Sequence, residues 1–81
     1  MNKHIELVKK WLTNKDSVTP EELKANKKEA YYITNRTYGS GAIQFPEYFP
    51  IYYADSASHF AAANDAVVAT YWVTKYKELT A

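Results

Sequence analysis

The sequence predicts a small, mostly α domain, and three observations carry that prediction. Apolar residues recur at helical spacing in three separate stretches. A strong helix-start signal, SVTPEEL, precedes the second of them. The chain has no cysteine, so its 81 residues must fold on apolar burial alone, without disulfides or thiolate metal sites. The material for a core is present: 47% of residues are hydrophobic, with two Trp, eight Tyr and three Phe. Rings of this kind bury about 150–250 Å² each. The expected organisation is one domain, 1–81, with two short N-terminal helices, one long C-terminal helix, and a Gly/Pro/aromatic loop between the second and third.

The first helix is expected over Asn2 to Leu12. Ile5, Val8 and Leu12 share a face that Leu7 and Trp11 widen, while Lys3, Glu6, Lys9 and Lys10 take the rest. Thr13 to Asp16 reads as its exit. In the second helix Thr19 is the N-cap, Pro20 presets φ at the first position, and Glu22 completes a capping box. This helix should run from Pro20 to about Asn35, with Leu23, Ala30, Ile33 and one or both of Tyr31 and Tyr32 inward. The third stretch, about Ser56 to Leu79, places Ala57, Phe60, Ala61, Val68, Tyr71, Trp72, Tyr76 and Leu79 on one broad face, with Asp55 or Ser56 as its cap. A strand near its valine-rich end is the minor alternative. The expected core comprises Trp11, Leu23, Phe60, Val68, Tyr71, Trp72 and Leu79.

Between helices lies TYGSGAIQFPEYFPIYY, which holds both glycines and two of the three prolines. Tyr38-Gly-Ser-Gly41 signals a turn, and the prolines of FPEYFP each remove a backbone donor. The expectation is a long structured loop with one helical turn, a short YYIT/AIQF hairpin being the alternative. Its rings, Tyr38, Phe45, Tyr48, Phe49, Tyr52 and Tyr53, exceed what so small a core can hold. Either Phe45, Phe49 and Ile51 plug the gap between helices while the tyrosines rim the surface, or the rings form a protein-binding patch.

Charge excludes more than it identifies. Seven of the ten basic residues fall before residue 29, interleaved with acids, and Thr37 to Thr74 contains no Lys or Arg. Nucleic-acid binding through base stacking wants basic residues among the rings, and they are missing. The lysines of the first two helices read as a solvated mixed-charge face. His4 and His59 lack further ligands at metal-binding spacing, and Asp55 and His59 share a helix face as a cap and a surface or boundary histidine. Ser56, Ser58 and His59 lack any nucleophile elbow around them, and Gly39-Ser-Gly41 is too short for a phosphate loop. The expectation is a non-enzyme with no catalytic residue, no metal and no cofactor. The broken apolar run at the N-terminus argues against a signal or membrane span, which with the lack of cysteine suggests a cytoplasmic protein. The Asn35-Arg36-Thr37 acceptor pattern then reads as a chance match.

The residues HIELVKKWL, DSVTPEELKAN and AVVATYWVTKYKELT, in that order, resemble a group of small proteins of tailed bacteriophages. Those open with a Val-Lys-x-Trp-Leu helix and close with Tyr-Trp-Val-Lys-x-Tyr-x-Glu-Leu. The resemblance covers the two ends, about two thirds of the chain, and fails in the middle segment. It implies a phage accessory protein that acts in the host bacterial cytoplasm on a host protein, as an inhibitor or takeover factor. It carries over no site residues. Nucleic-acid binding through the Lys-rich helices, and self-assembly (a homodimer) through the Ala-rich helix, are the alternatives.

Overall fold

In the computed structural model, which describes residues 2–37 and 46–80, the described residues form four α-helices and two 3₁₀ turns, with no strand among them. The helices are α1 (Lys3–Thr13), α2 (Pro20–Thr37), α3 (Phe49–Ala62) and α4 (Ala66–Thr80). The 3₁₀ turns are Lys15–Ser17 and Pro46–Tyr48. Tyr38 to Phe45, the tip of the middle segment, lies outside the described residues.

Local chemistry sets the first two helices as the spacing anticipates. Asn2 caps α1, its side-chain oxygen accepting from the His4 backbone N–H at 2.7 Å. At α2 the capping box is complete: Glu22 N–H donates to Thr19 Oγ1 at 3.1 Å, and Thr19 N–H donates to Glu22 Oε1 at 3.0 Å. Hydrogen bonds from the Thr19 backbone N–H and side chain to the Glu22 carboxylate hold it below its ordinary range. The YYIT stretch continues α2, so the hairpin alternative fails.

The expected single C-terminal helix is instead two. Ala63-Asn64-Asp65 interrupts it, and Asn64 takes φ 62°, the left-handed conformation that asparagine tolerates better than most residues. Asn64 N–H donates to the Ala61 carbonyl and Asp65 N–H to the Phe60 carbonyl, closing α3. Asp65 then starts α4, its Oδ1 accepting from Val68 N–H at 3.1 Å. A helix terminator and a helix cap thus stand side by side.

The α3 start also moves. Pro46 opens the 3₁₀ turn, and Pro50 sits in the first turn of α3, where its missing N–H has no intrahelical partner to lose. Pro46 to Pro50 therefore belong to the helical scaffold rather than to a loop. Asp55 and Ser56 lie inside α3 and cap nothing.

α3 is the centre of the domain and packs against α1, α2 and α4. Its Ala54, Ala57, Ser58 and Ala61 are buried at i, i+3, i+4 and i+7, and these small side chains let three neighbours approach closely. Ile5, Val8 and Trp11 of α1, Val18, and Leu23 of α2 meet that face, and Ala69, Val73 and Tyr76 of α4 complete the core. Of the expected core residues, Trp11 and Leu23 are buried, and Phe60 and Trp72 pack partly buried against the core. Val68 is half-buried, while Tyr71 and Leu79 are exposed. The reason is phase. Breaking the helix at Asn64 turns the inward face of α4 by one residue, about 100°, so Ala69 and Val73 replace Val68 and Trp72. On α2, Ala30 is buried and Ile33, 36% exposed, lines a hollow with Ala30, Ile51 and Ala54, but Tyr31 and Tyr32 point outward, because only a narrow stripe of this helix meets its neighbours.

Candidate functional site

Two features stand out from the packing: an aromatic ladder across α3 and α4, and a polar lock between α1, α2 and α3. The ladder begins with Phe49, which stacks on Tyr53 one turn later, ring centroids 5.5 Å apart. Tyr53 and Tyr52 both reach Trp72 of α4, each at 5.5 Å, and Tyr52 also flanks Tyr53 at 5.7 Å. On the far side of Trp72 stands Tyr71, edge-on at 5.0 Å. Such offset and edge-to-face pairs contribute about 0.5–1.5 kcal/mol each beyond burial.

The ladder is graded in exposure. Phe49, Tyr52, Tyr53 and Trp72 are half-buried, whereas Tyr71 is 54% exposed. Val67, one turn before Tyr71, is 82% exposed, and Lys75, one turn after, places its ammonium 5.9 Å from the Tyr71 ring centre. Val67, Tyr71 and Lys75 therefore form an outward row on α4 that adjoins the covered rings. Tyr48, at the end of the 3₁₀ turn, is half-buried beside this group in sequence. Of the six rings expected to bind a partner, the structure brings Phe49, Tyr52 and Tyr53 together, while Tyr38 and Phe45 lie outside the described residues. Sequence reasoning missed Tyr71 and Trp72 as members and assigned both to the core. The signal that would have found them is the Asn64-Asp65 pair, which resets the phase of the last helix.

The polar lock centres on His4, which is buried at 4% exposure. Ser58 Oγ–H donates to the Ala54 carbonyl at 2.8 Å, so its oxygen is left to accept from Asn26 Nδ2 at 2.9 Å. That fixes the Asn26 amide with its oxygen toward His4 Nδ1, 2.7 Å away. In neutral His4 the ring proton then sits on Nδ1, and Nε2 is a buried lone pair with no partner among the described residues. The chain of donors has one direction, and it ties three helices at one level. Ser58 is fully buried with its proton committed, so this serine is a structural link. His59 is exposed and packs edge-on against Phe60 at 5.1 Å. No cluster of three or more metal-ligating side chains occurs among the described residues.

Asp55, half-buried on α3, carries the expected helical spacing to His59. Burial pushes its carboxyl above the usual aspartate range, and the charges of His59 and His4 partly oppose this. The folded chain therefore holds this proton more tightly than the unfolded chain does. The associated stability is complete below the unfolded value and is lost as pH rises through the raised folded value. Asp55→Asn should melt at a higher temperature than the parent at pH 7, and the two melting curves should converge below about pH 3. A variant that melts lower at neutral pH would show that the carboxylate makes a stabilising contact.

No helix among the described residues is long and apolar enough to cross a membrane. Comparison with family models, with curated proteins and with solved structures found no match to this chain.

Proposed function

We propose that this chain is a non-enzymatic phage accessory protein that binds a bacterial host protein in the host cytoplasm and inhibits or redirects it. The observation that supports this reading is the aromatic ladder with exposed Val67 and Tyr71 and half-buried Lys75 in a row beside it. Rings that are held rigid by stacking, half covered and open on one side, lose little side-chain entropy when a partner covers them. Tyrosine and tryptophan are also the residues that concentrate binding energy at protein interfaces. The mechanism is occlusion: the α3/α4 face lies over a functional surface of the host protein. The origin and the host partner come from the resemblance of the chain's two ends to tailed-phage proteins.

The test is affinity capture from bacterial lysate, with the stoichiometry of the captured protein measured. Tyr71→Ala combined with Val67→Ser should abolish capture, and Tyr48→Ala with Phe49→Ala should weaken it, both with a retained helical circular dichroism spectrum. Loss of an exposed interface tyrosine together with its valine neighbour corresponds to about 2–4 kcal/mol, or about 30- to 1,000-fold in affinity. Recovery of nucleic acid alone would overturn the reading. A sedimentation mass of twice the monomer, abolished by the Tyr71 and Val67 substitutions, would assign the face to self-association instead.

A further inference from the structure

The second helix gathers three lysines on one flank and two of its glutamates on another, and interleaving in the sequence conceals this. Lys24, Lys27, Lys28 and Tyr31 recur at i, i+3, i+4 and i+7, so they share one side of α2. Glu22, Asn26 and Glu29 recur at i, i+4 and i+7 on another, where they line a hollow with Lys3, His4 and Leu7 of α1. Glu29 is there ion-paired with Lys3, which holds its carboxyl below the ordinary range. The lysine flank faces the other way and, with Ala62 at the end of α3, lines a groove of about 430 Å³. Among the described residues none of these three lysines has a carboxylate partner. Neither Glu21, three residues before Lys24, nor Asp65, three after Ala62, lines the groove, and Asp65 is committed to capping α4.

We propose that this groove is a binding site for an acidic peptide segment of a protein, one that carries two or three carboxylates around an apolar side chain. The three ammonium groups supply unneutralised positive charge within one and a half turns of helix. Tyr31, 60% exposed, and the Ala62 methyl give an apolar wall at its side. The volume suits one or two side chains, at the lower end of ordinary ligand pockets of about 300–1,000 Å³. A peptide fits better than a nucleic acid for two reasons. The net charge is only +1, so a long polyanion gains little beyond the groove, while a short acidic segment responds to the local field within a Debye length of about 8 Å. A single ring lines the groove, where a strand of bases would want a series of them. The site shares no residue with the aromatic ladder and does not depend on it.

The test uses a fluorescein-labelled hexapeptide with four glutamates around a central Phe-Leu pair, titrated at about 20 mM salt. Anisotropy reports affinity, and amide NMR shifts report location. Saturable binding is expected, with the largest shifts at Lys24, Lys27, Lys28, Tyr31 and Ala62. Lys24→Glu with Lys28→Glu should weaken it about tenfold or more, since each exposed charge contact contributes a few-fold. Tyr31→Ala should weaken it several-fold. Lys10→Glu, on α1, and Tyr71→Ala, in the aromatic ladder, should change it less than about twofold. An equal loss with Lys10→Glu would reduce the effect to net charge and overturn the proposal. So would tighter binding of a six-nucleotide oligothymidylate to the same groove, which would assign it to nucleic acid, and so would absence of peptide binding at low salt.

Discussion

Trp11→Ala is expected to bring the domain to the edge of unfolding at room temperature. Trp11 is 3% exposed and lies in the cluster where α1 meets Val18, Leu23 and the alanine face of α3. Removing a buried tryptophan costs about 3–5 kcal/mol, because the lost transfer energy is joined by a cavity that the surroundings only partly fill. A chain of this length has a total stability of about 4–12 kcal/mol, so one substitution takes a large share of it. The melting temperature should fall by about 15 °C or more. Collapse of the neighbours into the space is limited: Ala54, Ala57 and Ala61 have only a methyl to reach with, and Lys15, whose ammonium stands 5.1 Å from the Trp11 ring centre, is charged. A fall of only a few degrees in a thermal scan would mean that α1 is not anchored through this ring.

Asn26→Ala should be the second most damaging change, although Asn26 is only partly buried and contributes little apolar area. Its amide connects His4 Nδ1 on one side to Ser58 Oγ on the other. Alanine leaves the His4 donor without its acceptor and the Ser58 oxygen without its donor, both inside the structure. Each unsatisfied buried group costs about 1–3 kcal/mol, and because Ser58 keeps its bond to the Ala54 carbonyl the expected total is the lower part of that sum, about 2–4 kcal/mol. Urea denaturation provides the measurement: the midpoint should fall with little change in slope. Ser58→Ala made in the same background provides the control. Because the residues form one chain of hydrogen bonds, the double variant should lose less than the sum of the singles, by about 0.5–3 kcal/mol. Strict additivity would mean that the two links act independently and that no lock exists.

How far the sequence reveals this molecule depends on which forces act locally. Helix α1 is legible from its periodicity and α2 from its cap, since Thr19, Pro20 and Glu22 are read by their immediate neighbours; only the capping role of Asn2 goes unread. The last helices are not, because alanine-rich periodicity runs through Ala61 to Ala69 without interruption, while Asn64 and Asp65 divide it by backbone geometry. That one unread break carries Tyr71 from the expected core to the candidate binding face and leaves Trp72 partly buried between the two. Proline misleads in a different way. Pro50 excludes a helix interior but not a helix start, and the choice rests on what precedes it. His4 illustrates the third limit: burial of a polar ring becomes intelligible only once Asn26 and Ser58, 22 and 54 residues away, are seen to meet it. The sorting of lysines from glutamates on α2 was written in the spacing all along, yet it gains meaning only from the two different neighbours on the two flanks.

The break at Asn64 also bears on the order in which the chain assembles. A three-residue link costs little closure entropy, and it delivers Trp72 to Tyr52 and Tyr53 across a short stretch of chain. Contacts of such small sequence separation form early in helical domains, which fold in microseconds to milliseconds for that reason. The α3/α4 hairpin is thus the natural nucleus. α1, joined to the end of α4 by the hydrogen bond from the Asn2 backbone to the Tyr76 hydroxyl across 74 positions, docks last. The face that is proposed to meet a partner is in this order the first part of the molecule to acquire its shape, and the helix that seals the core is the one that arrives at the end.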